Sequence, residues 1–201
     1  DADLFVSNTI EQSIQTNLEV LQNEHNVLLF LTFQVALNRN VRRCMSSGIG
    51  CEDIWDTIPL NKNQLIDGIK TKSYCHFWSP FHRVTNYATW IRKTRKKAYP
   101  ASVPRLMEPY HIMRRTPLNP IFHPYYIEYS RNKIELFARL NLEHRYHYFV
   151  LPQDFGVDIP HKRSVASLNF NSHQQHYFVK VMWNTISNDY YRLAASFQGR
   201  Q

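Results

Sequence analysis

The chain has 201 residues, 43% of them hydrophobic and 14% aromatic, with a formal net charge of +8. That length suits one packed core with an appendage, and that composition excludes a disordered chain. No apolar run reaches the roughly 18 residues of a bilayer-spanning helix, the longest being centred on Val27 to Phe33, so no membrane partner is expected.

In chain order, Asp1-Ala2-Asp3 shows no basic region leading into an apolar one, so no secretory leader is expected. Ile10, Ile14, Leu18 and Leu21 then recur at steps of four, four and three, which lines them along one helical face. Thr9 followed by Gln12 fits a capping box, and Glu11 places negative charge in the first turn. This predicts an amphipathic helix over about residues 7–22, able to pack on its own core or on another copy of the chain. Val27 to Leu37 is rich in β-branched and aromatic residues and predicts a strand; Asn38-Arg39-Asn40 reads as a turn, with Val41 to Met45 as the return arm of a hairpin. Glu52 to Asp56 predicts a short helix stopped by Pro59.

The alternation of Val84, Asn86, Ala88 and Trp90 with Thr85, Tyr87, Thr89 and Ile91 predicts a central strand. Six prolines between Tyr99 and Pro124 predict an irregular crossing. Tyr125 to Tyr129, Ile134 to Leu140, Tyr146 to Leu151 and Tyr177 to Trp183 supply further predicted strands. The sum is a mainly β fold: an antiparallel β-sandwich with a protruding N-terminal amphipathic helix and short connecting helices. Residues 1–25 form a helical arm and residues 26–201 a single β-rich core domain.

Charge is unevenly spread. Residues 1–38 hold five acidic side chains and no Lys or Arg, leaving 24 basic against 11 acidic side chains in the remainder. An acidic head and a basic body attract, within a chain or between copies. The densest cationic run is Arg92, Lys93, Arg95, Lys96 and Lys97, flanked by Trp90 and Tyr99; cations beside stacking rings suit phosphates, a nucleotide or single-stranded nucleic acid.

Other chemistry is weakly signalled. Cys44, Cys51 and Cys75 form an odd set without a C-x-x-C pair, which favours free thiols in a reducing compartment. Cys75 and His76 with His82, His144 with His147, and His173 with His176 lack zinc spacing, so no metal site is expected. There is no G-x-S-x-G elbow, P-loop or G-x-G-x-x-G turn, and Glu52, Asp53 and Asp56 read as a helix-end cluster. No catalytic residues, and hence no enzyme, are expected. Tyr125, Tyr126, Tyr129, Tyr146 and Tyr148 concentrate phenols that ionise near pH ~10, where a packed assembly would repel itself.

The order of several motifs resembles the cypovirus polyhedrins. Tyr146-His147-Tyr148-Phe149-Val150-Leu151-Pro152 is similar to an H-Y-F-x-L-P stretch, and Gly199-Arg200-Gln201 to an Arg-Gln terminus. Ile49 to Trp55, Phe77-Trp78-Ser79-Pro80 and Ser102-Val103-Pro104 fall in the expected order. The resemblance implies homotrimers packed into a lattice by the N-terminal helix, crystalline occlusion bodies embedding virions in the host cytoplasm, and dissolution in an alkaline gut. The expected function is accordingly structural self-assembly. Ile10, Ile14, Leu18 and Leu21 would make lattice contacts and the Tyr125 to Tyr148 cluster would drive alkaline release. No cofactor is required, with a bound nucleotide as an optional ligand at Arg92 to Lys97. The alternative is a basic nucleic-acid-binding viral protein using that same segment.

Overall fold

A computed structural model describes residues 4–77, 87–102, 109–117, 119–122, 132–142 and 145–162, with the isolated residues 184 and 188. Its centre is β2 (Asn26–Val35), whose residues from Val27 to Phe33 are all buried. A strand covered on both faces reads as a continuous apolar run, and this is the one such run in the described residues. β2 pairs in parallel with β6 (His147–Asp158), from Asn26 opposite His147 to Gln34 opposite Asp158.

The outer edges of this pair each carry two short strands. On β6, β1 (Leu4–Val6) runs antiparallel to Gly156–Asp158 and β4 (Tyr99–Ala101) antiparallel to Tyr148–Val150. On β2, β3 (Tyr74–His76) pairs with Phe33–Val35 and β5 (Tyr110–Met113) with Val27–Phe30. The result is one mixed sheet of six strands.

Helices, and no second sheet among the described residues, cover its faces. Odd-numbered Val27, Leu29, Leu31 and Phe33 pack with Leu65 of α5 (Lys62–Lys70), Trp90 of α6 (Tyr87–Arg92), and Phe137 and Leu140 of α7 (Asn132–Leu142). Burying side chains of this size contributes about 1.5–3 kcal/mol each. On the other face Leu28 and Leu151 meet Ile10 and Ile14 of α1 (Ile10–Thr16) and Val20 and Leu21 of α2 (Leu18–Gln22).

The sheet-rich expectation holds, and the antiparallel sandwich is corrected to a mixed sheet between helices. Two expected strands are helical for an evident reason. Tyr87, Trp90 and Ile91, like Ile134, Phe137 and Ala138, stand at helical i, i+3, i+4 spacing, and a run this apolar satisfies both periods. The hairpin's return arm is instead α3 (Arg39–Ser47), because the Asn38 side chain accepts a hydrogen bond from the Val41 amide (2.9 Å) and caps a helix there. The expected Glu52 to Asp56 helix is α4 (Glu52–Trp55). The N-terminal helix does not protrude: it is two short helices laid on the sheet, with only Leu18 of its four apolar residues exposed. Thr9 holds the N-cap position of α1 as expected but forms no capping box, since its hydroxyl donates to Asp154 (2.8 Å). The expected strands Tyr125 to Tyr129 and Tyr177 to Trp183 lie outside the described residues.

Candidate functional site

The parallel pair β2 and β6 gives the sheet a direction. Ligands of open α/β sheets bind beyond the carboxyl ends of the parallel strands, where loops diverge and backbone groups are left unpaired. Here that end comprises Val35 to Asn38 after β2 and Ile159 to Lys162 after β6. A cleft of about 680 Å³ opens at the β2 side of this end, with Val35, Asn38, Asp53, Asp56, Lys72 and Tyr74 among its lining residues.

Three local devices shape it. Tyr74 is buried at its base and donates a 2.6 Å hydrogen bond to the Thr57 carbonyl; loss of water raises its phenol pKa, against the lowering effect of that bond. Gly68 allows the ring to lie where it does, because a Cβ at that position would meet it at 2.5 Å. Cys44 of α3 and Cys51, just before α4, form a disulfide behind the acidic wall. Gly48 and Gly50 take the positive φ angles (80° and 76°) that turn the chain back between them. The free-thiol reading is therefore corrected: a turn that brings two cysteines seven residues apart into contact leaves Cys75 as the one free thiol. Asp53 and Asp56 are exposed at the cleft, where a carboxylate can accept a proton from a bound hydroxyl.

A second polar region lies midway along β6. Between Leu29–Val150 and Leu31–Phe155 the register slips, so Leu151 to Asp154 loop out of the ladder at Pro152, which has no amide hydrogen to donate. Asp154 is fully buried and accepts from Ser7 (3.0 Å) and Thr9 (2.8 Å). Lys62, in the first turn of α5, is also buried. Its ammonium donates to the carbonyls of Trp90 (2.6 Å), Lys93 (2.7 Å) and Pro152 (2.8 Å), and lies 4.3 Å from the centre of the Trp90 ring. Loss of water pulls its pKa down to about 8, while the three carbonyls give the charged form direct acceptors.

This lysine and its neighbours fix the basic segment. Gln153 donates from Nε2 to the carbonyls of Lys93, Thr94 and Arg95 (3.0–3.3 Å), and Asn17 holds the Lys96 carbonyl and the Ala98 amide. With its carbonyls drawn inward, the turn leaves the side chains of Arg92, Lys93, Arg95, Lys96 and Lys97 exposed. Lys97 pairs with Glu19 and Lys93 lies 5.3 Å over the Tyr99 ring. Acidic head and basic body thus meet within one chain through an exposed contact, a kind worth little in water.

Of the tyrosines, Tyr146 and Tyr148 are buried in the core and do not line the cleft; Tyr125, Tyr126 and Tyr129 lie outside the described residues. Among the described residues no group of three His, Cys, Asp or Glu is placed to hold a metal ion. His76 stacks on Tyr87 at 3.6 Å, and His161 lies exposed just past β6. Reading composition alone missed the cleft and Lys62, because neither has a motif; the signal for the first was the direction of the parallel pair, which the sequence does not state.

The chain matches no known family profile. Over 115 residues, 57% of its length, it is 28% identical to "Xylosyl- and glucuronyltransferase LARGE1" of Homo sapiens, and equally to that of Mus musculus. The matched stretch spans 14% of those proteins. This likeness overturns the expectation that the chain is no enzyme. That expectation rested on absent motifs for nucleophiles and phosphate loops, which sugar transfer does not require.

Proposed function

We propose that this chain is part of a sugar-transferring enzyme whose chemistry takes place at the carboxyl end of β2 and β6. The observation that carries the proposal is the 115-residue likeness to xylosyl- and glucuronyltransferases. A helix-covered mixed sheet with a cleft at that end supports it, as do the exposed carboxylates of Asp53 and Asp56 in the lining of that cleft. A nucleotide, if the sugar arrives activated by one, is then the leaving group of the donor and no standing cofactor.

An oxidising compartment suits the Cys44–Cys51 bond and is where we place the protein.

Lattice assembly and nucleic-acid binding draw no added support from the described residues. Ile10, Ile14 and Leu21 pack on the chain's own sheet, and the basic segment is described equally well as a saccharide contact. The test is nucleotide release from nucleotide-activated xylose and glucuronic acid, with saccharide acceptors and manganese or magnesium present. Release above background, falling on the order of 100-fold in Asp53→Asn, is expected. No release with either sugar under any metal condition overturns the proposal.

A further inference from the structure

Beside the basic turn lies a second cleft of about 300 Å³, between residues 9–16, the first turn of α5 and the turn itself. Its ten lining residues carry hydroxyl, amide or ammonium groups and not one carboxylate. In a chain with 16 acidic residues and a net −5 over residues 1–38, that composition is selective. Gln12, Thr16, Asn61 and Asn63 offer hydroxyls and amides, the groups that pair with sugar hydroxyls. Lys96 supplies charge from the lining, with Arg95 exposed on the same turn and Arg92 exposed at the end of α6, and these three cations have no ion-pair partner among the described residues.

The turn is also built to stay in place. Gln153, Lys62 and Asn17 hold the carbonyls of residues 93–96 from three different elements. A solvated loop needs none of these restraints; a binding rim gains from them, since ordering it in advance removes part of the entropic cost of binding.

We infer that this cleft is a binding subsite for an acidic saccharide, a sugar chain bearing carboxylate groups, separate from the cleft at the carboxyl end of the sheet. The inference rests on the sugar-transfer reading for its ligand class and deepens it, by making the recognised glycan anionic. The amides and hydroxyls read sugar hydroxyls while Arg95 and Lys96 meet the carboxylate. Nucleic acid is the competing polyanion, and it would use the charge without the amide-lined cleft.

Direct binding tests this without requiring any transfer activity, so its failure is distinct from failure of the enzyme proposal. Fluorescently labelled oligosaccharides containing glucuronic acid are titrated against the whole chain, alongside neutral xylose oligosaccharides and a homopolymeric single-stranded RNA of matched length. Arg95→Glu combined with Lys96→Glu should weaken the acidic oligosaccharide about 100-fold, and Asn63→Ala should weaken it about tenfold at unchanged salt dependence. Far-ultraviolet circular dichroism and the urea midpoint should be unchanged, because neither cationic side chain is engaged within the fold. Equal affinity for neutral and acidic sugars, or RNA binding that matches the acidic sugar and ignores Asn63, would overturn the inference.

Discussion

The two clefts on this sheet are held open in different ways. At the carboxyl end of β2 and β6 the walls are set by a covalent bond, two left-handed glycines and a ring seated against Gly68. At the slip in β6 the rim is set by side chains that reach backbone carbonyls, three from Lys62 and three from Gln153. The first arrangement is local in sequence, and the second joins segments from Asn17 to Gln153. Local constraints can be removed one at a time; a shared donor cannot, because losing it weakens the hold on all of its acceptors together.

Removing Lys62 should therefore separate the two regions most sharply. In Lys62→Met the Pro152 carbonyl loses its donor, while those of Trp90 and Lys93 fall back on the Lys93 amide and Gln153, which costs roughly 1–3 kcal/mol. The urea midpoint should drop accordingly, and amide exchange should quicken through residues 93–98 and leave the Gly68–Tyr74 region unchanged. Equal loss of protection in both regions would show that the clefts are one cooperative unit. Opening the Cys44–Cys51 bond with a reductant is the converse experiment. An eight-residue loop corresponds to about 2.5 kcal/mol of chain entropy. The stability loss should be of that size, with exchange in the basic turn unaffected.

The smallest effect at neutral pH belongs to Tyr148→Phe, which reports on the core between the clefts. The Tyr148 hydroxyl is buried without a hydrogen-bond partner, so its removal should change stability by less than about 1 kcal/mol. Burial pushes this phenol well above its ordinary value, with Tyr146 adding to the rise. The unfolded chain ionises first, near pH ~10, so the folded state loses stability as pH rises beyond that point. Tyr148→Phe should shift alkaline unfolding to higher pH, followed by fluorescence between pH 8 and 12. An unshifted transition would place the alkaline response elsewhere.

Much of the architecture was written in the local pattern. The apolar run from Val27 marked a strand, Tyr146 to Leu151 marked another, and the spacing of Ile10, Ile14 and Leu21 marked a helix with one apolar face; that the first two pair at the centre of the sheet was not marked. Where the pattern misled, the cause was ambiguity of period: a segment as apolar as Ile134 to Leu140 satisfies both the strand and the helix template. The Asn38 cap was also available in the sequence, since Asn favours both turns and helix starts. The basic segment was visible as charge, but its restraint by Lys62 and Gln153 was not, because those residues lie about 30 and 60 positions away. Which end of the sheet carries the cleft depends on the parallel pairing of two strands far apart in the chain.

That pairing has a temporal cost. Asn26 meets His147, about 120 residues later, so β2 is made long before the strand that covers its edge. At synthesis rates of about 5–20 residues per second, its seven buried residues wait roughly 6–24 s for that partner. Contacts this distant are slow to close. The most apolar segment of the chain thus waits longest for one of its edge partners during biosynthesis, and any truncation upstream of residue 147 leaves that edge permanently unpaired.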